Sequence, residues 1–99
     1  IVTVGNLKID FEAYKAVSHN SNETIKLSHK EFEIIKYLFD NKNKVVSRFE
    51  LLEKIWGYEE QPTTRTVDNF IARIRHKIEV DHNDPKIILT VHGTGYKMI

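Results

Sequence analysis

The 99-residue sequence contains no cysteine, one methionine (Met98), one tryptophan (Trp56) and two prolines. Without cysteine there is no disulfide framework and no thiolate metal site, which permits a reducing cytoplasm. No apolar run approaches the ~20 residues of a membrane span, and no signal-peptide pattern opens the chain. The five histidines, at 19, 29, 76, 82 and 92, show neither HxxxH nor HExxH spacing, so no metal site is expected. The chain opens at Ile1, with its sole methionine near the end, and it is read as a piece of a longer protein. Catalysis finds little footing. Glu59-Glu60 and Glu31/Glu33 are paired carboxylates, but closely spaced acids of this kind read as solvated surface. No nucleophile–histidine–acid constellation is legible, and Gly93-Thr94-Gly95 is a turn rather than a phosphate loop. No catalytic residue and no cofactor are expected.

What is present fits one small folded domain spanning residues 1–99. Hydrophobic residues make up 40% and charged residues 29%, a globular balance that argues against disorder. The net charge is only +1, but it is unevenly placed. Residues 49–60 carry four glutamates against Lys54, whereas residues 61–78 carry Arg65, Arg73, Arg75 and Lys77 against Asp68 alone. Residues 86–99 add Lys86 and Lys97 with no acid. A polyanion would meet a local basic surface. Charge by itself does not separate that reading from ordinary scatter.

Along the chain, Val2, Val4, Leu7, Ile9 and Phe11 recur at strand spacing, broken by Gly5-Asn6. Ala16-Val17 and Thr24-Ile25 suggest two more strands around the polar turn Ser18 to Asn22. The natural product is a small antiparallel sheet with one buried face. Ser28-His29-Lys30-Glu31 matches a capping box, and Phe32, Ile35, Leu38 and Phe39 follow at helical spacing, which predicts a helix over roughly 29–41. Val45-Val46 reads as extended. Ser47-Arg48-Phe49-Glu50 is a second capping box, opening a helix with Phe49, Leu51, Leu52, Ile55 and Trp56 that Gly57 stops.

The third helix carries the most information. Val67, Phe70, Ile71, Ile74 and Ile78 recur at spacings of three and four, giving a continuous apolar stripe. Rotation of about 100° per residue puts Arg65, Thr66, Asn69, Arg73, His76 and Lys77 on the other side. One face is fixed to a core while the other offers donors, the division a major-groove helix needs. Arg73 could bond guanine bidentately and Asn69 adenine. Phe70, at the border, could pack in the core or touch a thymine methyl. Taken alone, the pattern fits an ordinary surface helix at least as well. The next segment changes that. Lys86 to Val91 and Tyr96 to Ile99 read as strands paired around His92-Gly93-Thr94-Gly95, with Gly93 and Gly95 permitting a tight turn. Thr90, His92 and Tyr96 offer polar groups on or near it. A basic helix followed directly by such a hairpin is the sequence form of a recognition helix and wing.

These residues also carry a family resemblance. Arg65-Thr66-Val67-Asp68, the Ile71, Ile74, Arg75, Lys77 and Ile78 continuation, and Thr90-Val91-x-Gly93-Thr94-Gly95-Tyr96 resemble the DNA-binding effector domain of OmpR/PhoB-type response regulators. Leu27-Ser28-x-x-Glu31-Phe32, Val46-Ser47-Arg48-x-x-Leu51-Leu52 and Ile55-Trp56-Gly57 match in order and spacing, so the resemblance covers essentially the whole chain. It implies an α+β winged helix-turn-helix fold: an N-terminal four-stranded antiparallel sheet, a three-helix core and a C-terminal β-hairpin wing. It further implies an N-terminal receiver domain, outside this chain, that controls the module by aspartyl phosphorylation.

Carried over by position, the resemblance makes Arg65, Thr66, Asn69, Phe70, Arg73 and Arg75 candidates on the recognition helix. Arg48, Trp56 and Tyr96 become backbone contacts, and Thr90 and His92 fall where the wing meets DNA. The loop from Gly57 to Thr63 matches the segment the family uses toward RNA polymerase. Two positions depart from the family pattern, both toward less charge: His92 stands where many members carry arginine, and His76 where arginine or lysine is frequent. The expectation is a cytoplasmic output domain of a two-component regulator. It would bind duplex DNA as one of a tandem pair on direct-repeat half-sites, with little self-association of its own. The rival is a winged-helix protein-interaction module whose basic helix docks an acidic partner.

Overall fold

A computed structural model describes residues 1–57 and 62–99. Alternation in the first residues produces β1 (Val2–Val4), β2 (Leu7–Asp10) and β3 (Lys15–Ser18), an antiparallel sheet in that order. Val4 pairs with Leu7 and Ile9 with Ala16, so the period of two puts all four side chains in the core. The β1–β2 turn is pressed against the far end of the third helix. Gly5 sits at φ +56°, and a Cβ there would lie 2.2 Å from the Ile78 carbonyl oxygen, so glycine is required twice over. Its neighbour Asn6 donates its backbone N–H to that same oxygen at 2.8 Å.

The expected four-stranded sheet is a three-stranded one. Thr24 makes a single bridge to Val17, flanked by bonds from Ser18 N–H to the Glu23 carbonyl and from Ile25 N–H to the Ala16 carbonyl. The reason is length. The turn holds the chain to Asn22, at φ 59°, and by Leu27 it must enter the core before Ser28 caps a helix. No room is left for a ladder.

Helix α1 (His29–Asp40) begins with the complete capping box: Glu31 N–H donates to Ser28 Oγ at 3.2 Å, and Ser28 N–H to Glu31 Oε1 at 2.8 Å. The second box is only half formed. Glu50 N–H donates to Ser47 Oγ at 3.0 Å, but the Glu50 carboxylate is taken by the Tyr37 hydroxyl. Helix α2 (Arg48–Leu51) then widens into a π-helical turn over Leu52–Trp56, where each N–H reaches one residue further back. Gly57, at φ 71°, ends it. Phe49, counted among the apolar residues of this helix, is 73% exposed.

Helix α3 (Thr64–Ile78) buries Val67, Ile71, Ile74 and Ile78 completely, as the stripe requires. β4 (Val46–Ser47), β5 (Ile88–Val91) and β6 (Gly95–Met98) form a second sheet in the order β4-β6-β5. β5 starts later than Lys86 because the buried Glu79 carboxylate captures the N–H groups of Lys86, Ile87 and Ile88 at 2.8–3.1 Å. The two hairpin glycines serve different ends. Gly93 turns the chain at φ 75° with open space around it. A Cβ on Gly95 would sit 2.1 Å from the Val46 carbonyl oxygen. Gly95 is there for β4 to approach.

Candidate nucleic-acid interface

On the solvent side of α3 the structure presents Arg65, Asn69, Ala72, Arg73 and His76 as exposed, with Thr66 and Phe70 half-buried at the margins. Lys77, expected on this face, turns to α1. Its ammonium donates to Glu31 Oε2 at 3.0 Å and Oε1 at 3.2 Å, and to the Lys26 carbonyl at 2.9 Å. Burial of Glu31 pushes its carboxyl up, but the Ser28 amide and the Lys77 charge outweigh this and hold it below the usual value. His76 stacks on His82, ring centroids 3.7 Å apart. Among the described residues no three potential ligands gather as a metal site would need.

Trp56 is buried beneath this face, its ring edge-on to Phe70 with centroids 5.3 Å apart. Phe70 therefore packs at the core margin, and the Arg73 guanidinium lies over its ring, 4.5 Å from the centroid. At the wing, Thr90, His92, Gly93 and Thr94 are exposed. They border a cleft of about 230 Å³ whose floor holds Arg48, Asp68 and Tyr96.

That floor is an internal knot. Asp68 accepts from Arg48 Nη1 at 3.0 Å and from the Tyr96 hydroxyl at 2.5 Å. Burial, with Asp68 as acceptor and nearby charge, pushes the Tyr96 phenol up to about 12. Arg75 makes a second tie. It reaches the Ile88 carbonyl at 3.1 and 2.7 Å through two nitrogens, donates to Thr90 Oγ1 at 2.9 Å, and lies over the Tyr96 ring. Most candidate residues thus fall into two groups, with Thr66, Phe70 and Thr90 at their margins. Arg65, Asn69, Arg73 and His92 point outward, whereas Arg48, Trp56, Arg75 and Tyr96 join α2, α3 and the wing. Asp68, which organises that joint, was legible in the sequence as an acid on a basic helix and as part of a family motif, but not as a site residue.

An exposed donor-bearing helix braced against a hairpin is a surface for reading a groove, and the comparisons with known proteins agree. Residues 22–98 match the family described as "Transcriptional regulatory protein, C terminal". The chain belongs to the OmpR/PhoB-type family of transcriptional regulators. This OmpR/PhoB-type domain is 39% identical over 98 residues to the probable transcriptional regulator ycf27 of Porphyridium aerugineum, covering 97% of this chain and 40% of that protein. It superposes on the response regulator DrrB, an OmpR/PhoB homolog of Thermotoga maritima, with TM-score 0.84 at 40% identity, over 98% of this chain and 43% of DrrB. The DNA-binding domain of Klebsiella pneumoniae RstA, solved in complex with the RstA box, gives TM-score 0.80 at 27% identity, over 98% of this chain and 94% of that one. The chain spans about two fifths of the length of the curated relatives it matches. Among its described residues no helix is long and apolar enough to cross a membrane.

Proposed function

We propose that this domain reads duplex DNA sequence-specifically, as the output module of a two-component response regulator, with α3 in the major groove and the β5–β6 wing on the adjacent minor groove or backbone. The observation that carries this reading is the division of α3. Four buried apolar residues fix one face, and Arg65, Asn69 and Arg73 stand exposed on the other. Arg73 is the guanine reader, since its fork matches the two acceptors guanine presents in the major groove. Asn69 is placed for adenine. Arg65 and Thr66, at the start of the helix, serve phosphate.

The joint residues contribute differently. Arg48 spends one nitrogen on Asp68, and the rest of its five-donor fork is available to a phosphate bordering the cleft. Tyr96 donates its only hydroxyl hydrogen in the bond to Asp68, so it braces the wing. Arg75 fixes the position of α3 relative to β5 and, through its charge, draws the backbone. Trp56 supports Phe70 from below, with its indole N–H as a phosphate donor.

For the remaining partners the reading rests on the family resemblance. An upstream receiver domain controls loading onto direct-repeat half-sites in the cytoplasm, and the domain alone associates weakly with itself. The segment toward RNA polymerase, Gly57 to Thr63, has residues 58–61 outside the described structure. Selection of bound sequences from random duplex DNA tests the central claim. Enrichment of one motif supports it. No retained DNA at low salt, with an acidic protein held instead and not displaced by duplex DNA, would mark the basic helix as a dock for an acidic partner.

A further inference from the structure

A run of side-chain contacts leads from half-buried Lys30 through buried Trp56 to Arg73. Lys30 of α1 donates to the Ile55 carbonyl at 2.8 Å, with its ammonium 5.6 Å from the Trp56 ring centroid. Trp56 is buried and meets Phe70 at an interplanar angle of 73°. Half-buried Phe70 then lies under the exposed guanidinium of Arg73, three residues on and so on the same helical edge.

The kind of contact matters as much as its presence. A carboxylate or carbonyl partner takes guanidinium N–H groups, as Asp68 does to Arg48 and Ile88 to Arg75. A ring takes only the flat face. The guanidinium N–H groups are then not taken by an acceptor and keep their bonding capacity. Among the described residues, no acceptor holds the Arg73 guanidinium, while its central carbon rests 4.5 Å from the Phe70 ring centroid. An unstacked arginine at an exposed helical site would have to be ordered on binding. Immobilising one such side chain is worth roughly a two- to tenfold change in a binding constant.

We infer that Phe70 is a specificity-determining positioning residue, which holds the Arg73 fork in the plane needed for bidentate readout of one base pair rather than touching DNA for its own sake. The inference rests on the base-reading role given to Arg73 above. It predicts an effect confined to the base pair Arg73 reads, because a preoriented fork favours the matched acceptor pair and loses its advantage when the base is changed. A purely structural Phe70 would weaken every site alike.

The test uses the 99-residue chain and a duplex that it recovers from a random pool, with each base pair then changed in turn. Arg73→Ala locates the position read by Arg73. Phe70→Leu is expected to lose roughly two- to tenfold of the discrimination at that position and less than about twofold elsewhere. Phe70→Tyr, which keeps the ring, is expected to retain it. The double variant Phe70→Leu/Arg73→Ala should discriminate no worse than Arg73→Ala alone. If Phe70→Leu fails to fold, Phe70→Met fills the space beside Trp56 without a π face and carries the same expectation. Wild-type discrimination in Phe70→Leu, with Arg73→Ala impaired, overturns the inference and leaves the DNA reading standing. Equal weakening at every position also overturns it. An Arg73→Ala variant that discriminates like wild type removes both the base reader and its support.

Discussion

The Tyr96 hydroxyl donates to Asp68 Oδ1 at 2.5 Å, joining the wing to the recognition helix through one proton. Arg48 holds the other carboxylate oxygen, so α2, α3 and β6 meet on a single side chain. Asp68→Ala should release both partners. Because the ion pair is partly solvated, the expected cost is about 1–2 kcal/mol, read from urea denaturation. DNA affinity should fall further than stability alone explains, since the wing loses its bearing on α3. Unchanged stability together with unchanged affinity would show that the joint is dispensable.

The same bond sets an alkaline limit. Tyr96 is pushed up to about 12 by burial and Asp68, and Tyr37 to about 12 chiefly by its hydrogen bond to Glu50. Folding therefore favours the neutral phenols. Their contribution is complete below the unfolded value of 10.0 and is lost as pH rises through about 12. Phenolate absorbance should show two late-titrating tyrosines, and Tyr96→Phe should remove one. If all tyrosines titrate together in the folded protein, neither phenol is held as described.

Arg73→Ala should cost roughly 1–3 kcal/mol on the cognate site and relax discrimination at one or two base positions. Competition binding against single-base variants measures it. Equal weakening on cognate and random DNA would reassign Arg73 to phosphate.

The two hairpin glycines should differ sharply. Gly93→Ala places a side chain in open space at φ 75°, a left-handed strain of about 1–2 kcal/mol. Gly95→Ala drives a methyl into the Val46 carbonyl, 2.1 Å away, and backbone cannot step aside as a side chain would. A loss of about 3 kcal/mol or more is expected. Thermal melts of the two variants decide it, and equal losses would mean that β4 yields easily.

His92 is exposed at the wing tip, where an arginine would be a permanent cation drawn into a narrow minor groove. His92→Arg should tighten binding, most on A·T-flanked sites, and His92→Ala should weaken it. Superimposable wild-type and His92→Ala binding curves, at fixed ionic strength, would remove His92 from the interface.

The sequence by itself determined the elements whose causes are local. The Ser28 and Ser47 caps, the Val67-Ile71-Ile74-Ile78 stripe and the Gly93 turn act within a few residues. Their spacings carry the helix–wing order and the family resemblance with them. Tertiary structure alone decided which polar groups on that frame remain open. Lys77 is claimed by Glu31, 46 residues away, Arg75 by β5 and Tyr96 by Asp68. Gly95 answers to β4 rather than to its own turn, and the fourth strand shrinks to a bridge because the chain must reach α1. Periodicity states which face a residue occupies. It cannot state what distant segment packs there, and a charged side chain takes the nearest partner that spares it an unpaired burial.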